Sequence, residues 1–250
     1  MTFIHNLDPV ILNLGFLEIR WYGLMYVIGF LIVYFFLKHK IKTKQFEITE
    51  KKLDNLLFIL IIAMLIGSRL FAVFVYHPVY YLAHPLEIVM FWKGGLSFHG
   101  ALLGMIIAGI IWCKKNKFSF FKLADFMVIP VSLAQFFGRI GNFINGELYG
   151  KITSLPWAVK FQGVVGFRHP TQIYEALYNL VIFFVLLFYS KKNPKKGRVF
   201  GLFLILYCIF RFSIEFLKDM ELFGPLTMGQ WLSIPMLFFG FWLMFRKINQ

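Results

Sequence analysis

Long apolar runs recur along the chain, and short polar or basic breaks separate them. A transmembrane helix needs about 20 mostly apolar residues, and the runs are of that order. They cover about Trp21 to Leu37, Leu56 to Tyr76, Leu96 to Cys113, Leu123 to Ile140, the stretch from His169 to near Ser190, Phe200 to Leu217, and Met228 to Phe245. This pattern predicts an all-α polytopic membrane protein with about seven transmembrane helices. Met1 to Ile19, with Pro9, Gly15 and Glu18, reads as an amphipathic entry at the interface. His77 to Lys93, with Pro78 and Pro85, reads as a second interfacial segment. Alternation over Trp157-Ala158-Val159-Lys160-Phe161 predicts a short strand.

The breaks are not equivalent. Lys38, Lys40, Lys42, Lys44, Lys51 and Lys52 follow the first run, and Lys114, Lys115, Lys117 and Lys122 follow the third. Lys191, Lys192, Lys195, Lys196 and Arg198 follow the fifth, and Arg246 and Lys247 the seventh. Seven spans place all four clusters on one side, and the excess of positive charge marks that side as cytoplasmic. The N-terminus is then outside and the C-terminus inside. A small periplasmic segment, about 146–169, faces outward with the starts of the third and fifth spans.

Composition agrees. Of 250 residues, 59% are hydrophobic and only 15% charged, against about 25% charged in an ordinary soluble domain. A single integral-membrane domain accounts for residues 1–250. The net charge of +14 is concentrated in the loops and does not call for nucleic acid. Cys113 and Cys208 lie in apolar runs and read as small buried hydrophobes. The N-terminus lacks a basic n-region and a small-residue cleavage site, so no removable signal peptide is expected. No metal-ligand cluster and no phosphate loop with Lys is present in the sequence.

Against this background the polar residues inside spans need explaining. Gly138 to Gly150, GRIGNFINGELYG, places Arg139, Asn142, Asn145 and Glu147 where an apolar run ends. A charge near hydrocarbon costs roughly 2.5 kcal/mol or more, so Arg139 needs a partner or a task. A capped helix end with a snorkelling arginine would need fewer polar residues. Arg139 and Asn142 share a face if the helix continues. Tyr207, Arg211 and Glu215 recur every four residues, on one helical stripe. Arg211 and Glu215 satisfy each other in one reading. In the other, two guanidiniums at one depth take an anion, because arginine binds phosphate bidentately and stays charged when desolvated.

Glu175, a carboxylate in an apolar span, reads as a partner for one of the arginines. Arg69 reads as a structural pair with a carboxylate. His99, between Phe98 and Gly100, is either a hydrogen-bonded core histidine or a proton acceptor that its flanking residues leave accessible. Tyr22 and Tyr26 belong either to an interfacial aromatic belt or to the site.

These residues resemble the signature of the bacterial prolipoprotein diacylglyceryl transferases. GRIGNFINGELYG carries most of the likeness. Arg20 to Tyr26, Gly94 to Gly100, His169 to Glu175, Tyr207-x3-Arg211-x3-Glu215 and Met228-Gly229-Gln230 extend it in order along the chain. The segment Lys151 to Arg168 is shorter than in many members. The resemblance implies an inner-membrane enzyme that moves the diacylglyceryl group of phosphatidylglycerol to the lipobox cysteine of a prolipoprotein. It implies a thioether product, release of glycerol 1-phosphate, and no cofactor. By the same resemblance His99, Arg139, Arg211 and Tyr207 are catalytic candidates. Arg139, Asn142, Gly150, Tyr22 and Arg211 are candidates for binding phosphatidylglycerol, and Glu147, Glu175 and Glu215 are supporting carboxylates. A transporter or flippase for an anionic lipid, or a membrane scaffold, would use the arginines without covalent chemistry. A transporter would place polar groups along a path to both faces, whereas the inward halves of these spans are nearly all apolar.

The charge pattern makes a direct prediction. In intact cells, single cysteines at Lys42, Lys115, Lys195 and Lys247 resist an impermeant thiol reagent, and a cysteine at Lys160 labels. Labelling of position 115 from outside contradicts the seven-span topology.

Overall fold

The computed structural model describes residues 3–15, 18–90 and 94–246. Lys93 and Lys247 lie outside the described residues. The N-terminal entry forms strands: β1 (Phe3–Ile4), then β2 (Val10–Asn13) and β3 (Glu18–Arg20) as an antiparallel pair. Helix α1 (Trp21–Lys42) follows at once, and α2 (Glu50–Phe71) continues through a π turn at Ala72–Tyr76. A short helix α3 (Pro78–Ala83) and a 3-10 turn at Pro85–Val89 occupy the predicted interfacial segment. Then come α4 (Phe98–Lys115), α5 (Phe120–Ile144), β4 (Val159–Lys160), α6 (Thr171–Ser190), α7 (Arg198–Glu215), β5 (Leu222–Phe223), β6 (Leu226–Thr227) and α8 (Met228–Phe245).

Among the described residues, six helices are long and apolar enough to cross a membrane: α1, α2 with its π turn, α4, α5, α6 and α8. Helix α7 matches α4 and α8 in length, at 18 residues, but carries Arg198, Arg211 and Glu215. The fold is therefore an all-α polytopic membrane protein with small strand pairs. The predicted strand is β4, which pairs in parallel with β1.

Local chemistry sets several ends. Thr49 caps α2 by accepting from Lys52 N at 3.3 Å, which starts the helix before its apolar run does. Ser97 caps α4 through Gly100 N at 3.2 Å. Thr227 and Gln230 form a capping box at the start of α8. The start of α7 is capped from another helix: Asp125 on α5 accepts from Gly197 N at 2.5 Å and Phe200 N at 2.7 Å.

The chain divides into two compact units, 1–36 with 124–250, and 37–123. In the first, α7 packs between α6 and α8. Gly29 on α1 meets Ala134 on α5, and the ring of Tyr22 lies against Gly141. In the second, α2 and α4 cross closely. A Cβ on Gly67 or Gly100 would collide with the other's carbonyl, and one on Gly104 with the carbonyl of Ala63. Lipid tails are as apolar as leucine, so such association depends on small residues that let backbones approach. Arg69 in this unit binds backbone. Its Nε donates to Ile88 O at 2.9 Å, its Nη1 to Gly94 O at 2.6 Å, and its Nη2 to the Glu87 carbonyl. The sequence suggested a carboxylate for it, and the loop after the helix supplies these carbonyls. Cys113 and Cys208 are free and buried.

The α2–α4 crossing predicts a stability asymmetry. Gly100→Leu overpacks it, at a cost of about 1–3 kcal/mol, and lowers the thermal unfolding midpoint of the purified protein. Gly23→Ala, with no atom within 4 Å of the added Cβ, leaves the midpoint unchanged or slightly raised. Equal midpoints for Gly100→Leu and the parent protein contradict a glycine-dependent crossing.

Candidate active site

The site lies in the first unit and is built on Glu175, at the second turn of α6, whose side chain has 0% exposure. Its Oε2 is ion-paired with Arg139 Nε at 2.9 Å. Its Oε1 accepts from Arg211 Nη1 at 2.7 Å and from Lys218 Nζ at 3.1 Å. Arg139 comes from the end of α5, Arg211 from the last turns of α7, and Lys218 from just beyond α7. A buried carboxylate without a cation would be strongly destabilising, and this one meets three.

Around this centre the bonds run outward in two directions. Arg139 Nη1 donates to Asn142 Oδ1 at 3.3 Å, and Asn142 Nδ2 donates to Glu147 Oε1 at 2.8 Å. Asn145 Nδ2 reaches the same oxygen at 3.4 Å. From α6, Gln172 Nε2 donates to Glu147 O at 2.5 Å and Thr171 Oγ1 to Leu148 O at 2.8 Å, tying the GRIGNFINGELYG turn to the helix that carries Glu175. On the other side, Arg211 Nη2 is 2.5 Å from Glu215 Oε1, and Glu215 Oε2 accepts from Thr227 Oγ1 at 2.7 Å. The α8 cap is thereby part of the same network.

Exposure distinguishes the members. Arg139 and Arg211 keep 22% and 18% of their side chains exposed, while Glu175 keeps none and Lys218 3%. The arginines face open space with their outer edges; the carboxylate is closed off behind them. Burial pushes the Lys218 ammonium below the usual lysine range, and Glu175 pulls against that shift. This arrangement can receive an anion, since preorganised N–H donors at low dielectric act strongly on developing negative charge.

The structure brings together most of the residues that the sequence singled out. Arg139, Asn142, Glu147, Glu175, Arg211 and Glu215 form one network. Glu175 serves both arginines, and Glu147 reaches Arg139 only through Asn142. Tyr207 lies one turn before Arg211, its ring stacked on Phe203 at 5.6 Å and edge-on to Tyr178 at 6.3 Å. Tyr22 and Tyr26 share a hydroxyl contact of 3.1 Å on α1. Gly150 contributes backbone: its N–H donates to His169 O at 2.9 Å, and it forms an antiparallel bridge with Lys218. His99 belongs to the second unit, where its Nδ1 lies 2.9 Å from the Tyr76 hydroxyl. Lys218, Thr227 and Gln172 were not foreseen. Thr227 was findable, because Thr-x-x-Gln before an apolar run is a capping-box pattern. Lys218 carries no periodic signal, since it falls after the helix has ended.

Known proteins resemble this chain along nearly all of its length. A family model described as prolipoprotein diacylglyceryl transferase matches residues 9–246. A protein of Desulfotalea psychrophila named phosphatidylglycerol–prolipoprotein diacylglyceryl transferase is 43% identical, over 98% of this chain and 94% of its own length. Proteins of the same name from Bordetella avium and Geobacter sulfurreducens are 44% and 42% identical, over 93% and 96% of this chain and 92% and 95% of their own lengths. With a family match across nearly all of the chain, and the motif residues gathered on one buried carboxylate, the chain belongs to the prolipoprotein diacylglyceryl transferase family.

Proposed function

We propose that this protein transfers the diacylglyceryl group of phosphatidylglycerol to the lipobox cysteine of prolipoproteins. The cysteine thiolate attacks the glycerol carbon bonded to the phosphate oxygen. A thioether forms, the carbon–oxygen bond breaks, and glycerol 1-phosphate leaves with the electron pair. The thiol proton passes to a general base. The site works at the outer leaflet of the bacterial inner membrane, in line with the cytoplasmic side that charge asymmetry assigns to the basic loops.

One observation carries this reading: the partly exposed Arg139 and Arg211 converge on a single closed carboxylate behind them. Negative charge grows on the phosphate as the carbon–oxygen bond stretches. Two fixed guanidiniums stabilise that charge without reorganising, and Asn142 holds the Arg139 guanidinium through its amide oxygen. Glu175 and Glu215 hold the guanidinium planes in place. A site of this kind favours the transition state over the bound lipid, because the leaving phosphate gains charge as the bond breaks.

The test uses purified protein, phosphatidylglycerol and a lipobox peptide, with the peptide mass as readout. The parent protein adds a diacylglyceryl group. Arg139→Lys and Arg211→Lys accumulate normally but each lose about ten- to a hundredfold or more in turnover, since a charge-assisted hydrogen bond is worth roughly 1.5–3 kcal/mol. Wild-type turnover in either lysine variant makes that arginine a general counter-charge. Collapse of membrane abundance makes it a structural pair.

A further inference from the structure

Lys218 is the most deeply buried cation of the site, at 3% exposure, and it lies just beyond the end of α7. Its Nζ donates to Glu175 Oε1 at 3.1 Å, the same oxygen that Arg211 uses. Charge balance gives it a purpose. Arg139 and Arg211 stand against Glu175 and Glu215, two charges against two, with the exposed Glu147 engaged by Asn142 and Asn145. Without Lys218 the arginines are neutralised by their own carboxylates. With it, the third carboxylate of the network, Glu147, is offset as well, and the arginines keep their charge for an incoming anion.

The backbone shows how Lys218 is kept there. Leu217 and Lys218 run antiparallel to Gly150 and Lys151, with Lys151 N donating to Leu217 O at 2.8 Å and a bridge between Gly150 and Lys218. This approach leaves no room for a side chain at Gly150. A Cβ there would stand 2.5 Å from Leu217 O and 2.8 Å from His169 Cβ and Thr171 Cγ2. Gly150 therefore does for the Lys218 backbone what Glu175 does for its ammonium.

We infer that Lys218 is a positioning residue of the transfer site, seated by Gly150, and that it shares the charge of Glu175 so that Arg139 and Arg211 remain available to the phosphate of the lipid. Gly150 then acts through Lys218 and need not touch the lipid. The inference rests on the transferase reading.

The experiment compares Lys218→Met, Lys218→Arg, Gly150→Ala and the double variant Gly150→Ala/Lys218→Met with the parent protein. It measures membrane abundance, peptide modification, and the Michaelis constants for phosphatidylglycerol and for the peptide. Lys218→Met is expected to lose about ten- to a hundredfold in kcat/KM for phosphatidylglycerol with the peptide KM unchanged. Lys218→Arg recovers most of that loss, which a purely structural lysine would not show. Gly150→Ala reproduces the lipid-specific defect, and the double variant is no worse than the poorer single one. Wild-type kinetics in Lys218→Met overturn the inference and leave the transferase reading standing. Absence of transfer by the parent protein sinks the transferase reading itself. If Lys218→Met does not accumulate, Glu175→Gln/Lys218→Met, which also removes the charge that Lys218 answers, is expected to accumulate again. Failure of that pair to do so makes Lys218 a general fold determinant and overturns the inference.

Discussion

A carboxylate with no exposed surface, Glu175, meets Arg139, Arg211 and Lys218, and burial makes each of those meetings matter. In water such pairs contribute little; at low dielectric the loss of one partner costs roughly 3–5 kcal/mol. The three cations come from α5, from α7 and from the turn after α7, and the carboxylate comes from α6. These segments cannot shift independently without stranding a charge. The electrostatic centre thus fixes the relative positions of the very side chains proposed to do the chemistry.

Backbone approach does the rest. GRIGNFINGELYG leaves α5, turns, and returns to pair with the chain after α7 through Gly150. Gln172 and Thr171 hold the same turn from α6. The polar residues of that motif serve two ends at once: Arg139 keeps part of its side chain exposed, while the buried Asn142 links it to Glu147 and Gly150 locks the turn. The separate glycine-lined crossing of α2 and α4 shows the same rule where no charge is involved.

Much of this was legible in the sequence, for identifiable reasons. Apolar run length marked the spans, and polar residues in those runs marked the site, because hydrocarbon tolerates neither unpaired backbone nor unpaired charge. The spacing of Tyr207, Arg211 and Glu215 placed them on α7 correctly. Besides Thr227 and Gln172, three things escaped. Lys218 sits in a turn whose position depends on a backbone pairing far away in sequence. Loop carbonyls bind Arg69, which no side-chain pattern reveals. The N-terminal segment, read as an interfacial entry, forms β1 with β4, a pairing that joins residue 3 to residue 159. Each miss is a non-local contact made by backbone, where residue identity carries little information.

The central claim is that one buried carboxylate organises the cations that the leaving phosphate uses. The most direct measurement is turnover of Glu175→Gln at matched membrane abundance, with phosphatidylglycerol and a lipobox peptide. The amide keeps the shape and removes the charge. The account predicts a loss of about a hundredfold or more, because all three cations lose their common anion. A Glu175→Gln enzyme that accumulates normally and turns over at the parent rate would contradict it.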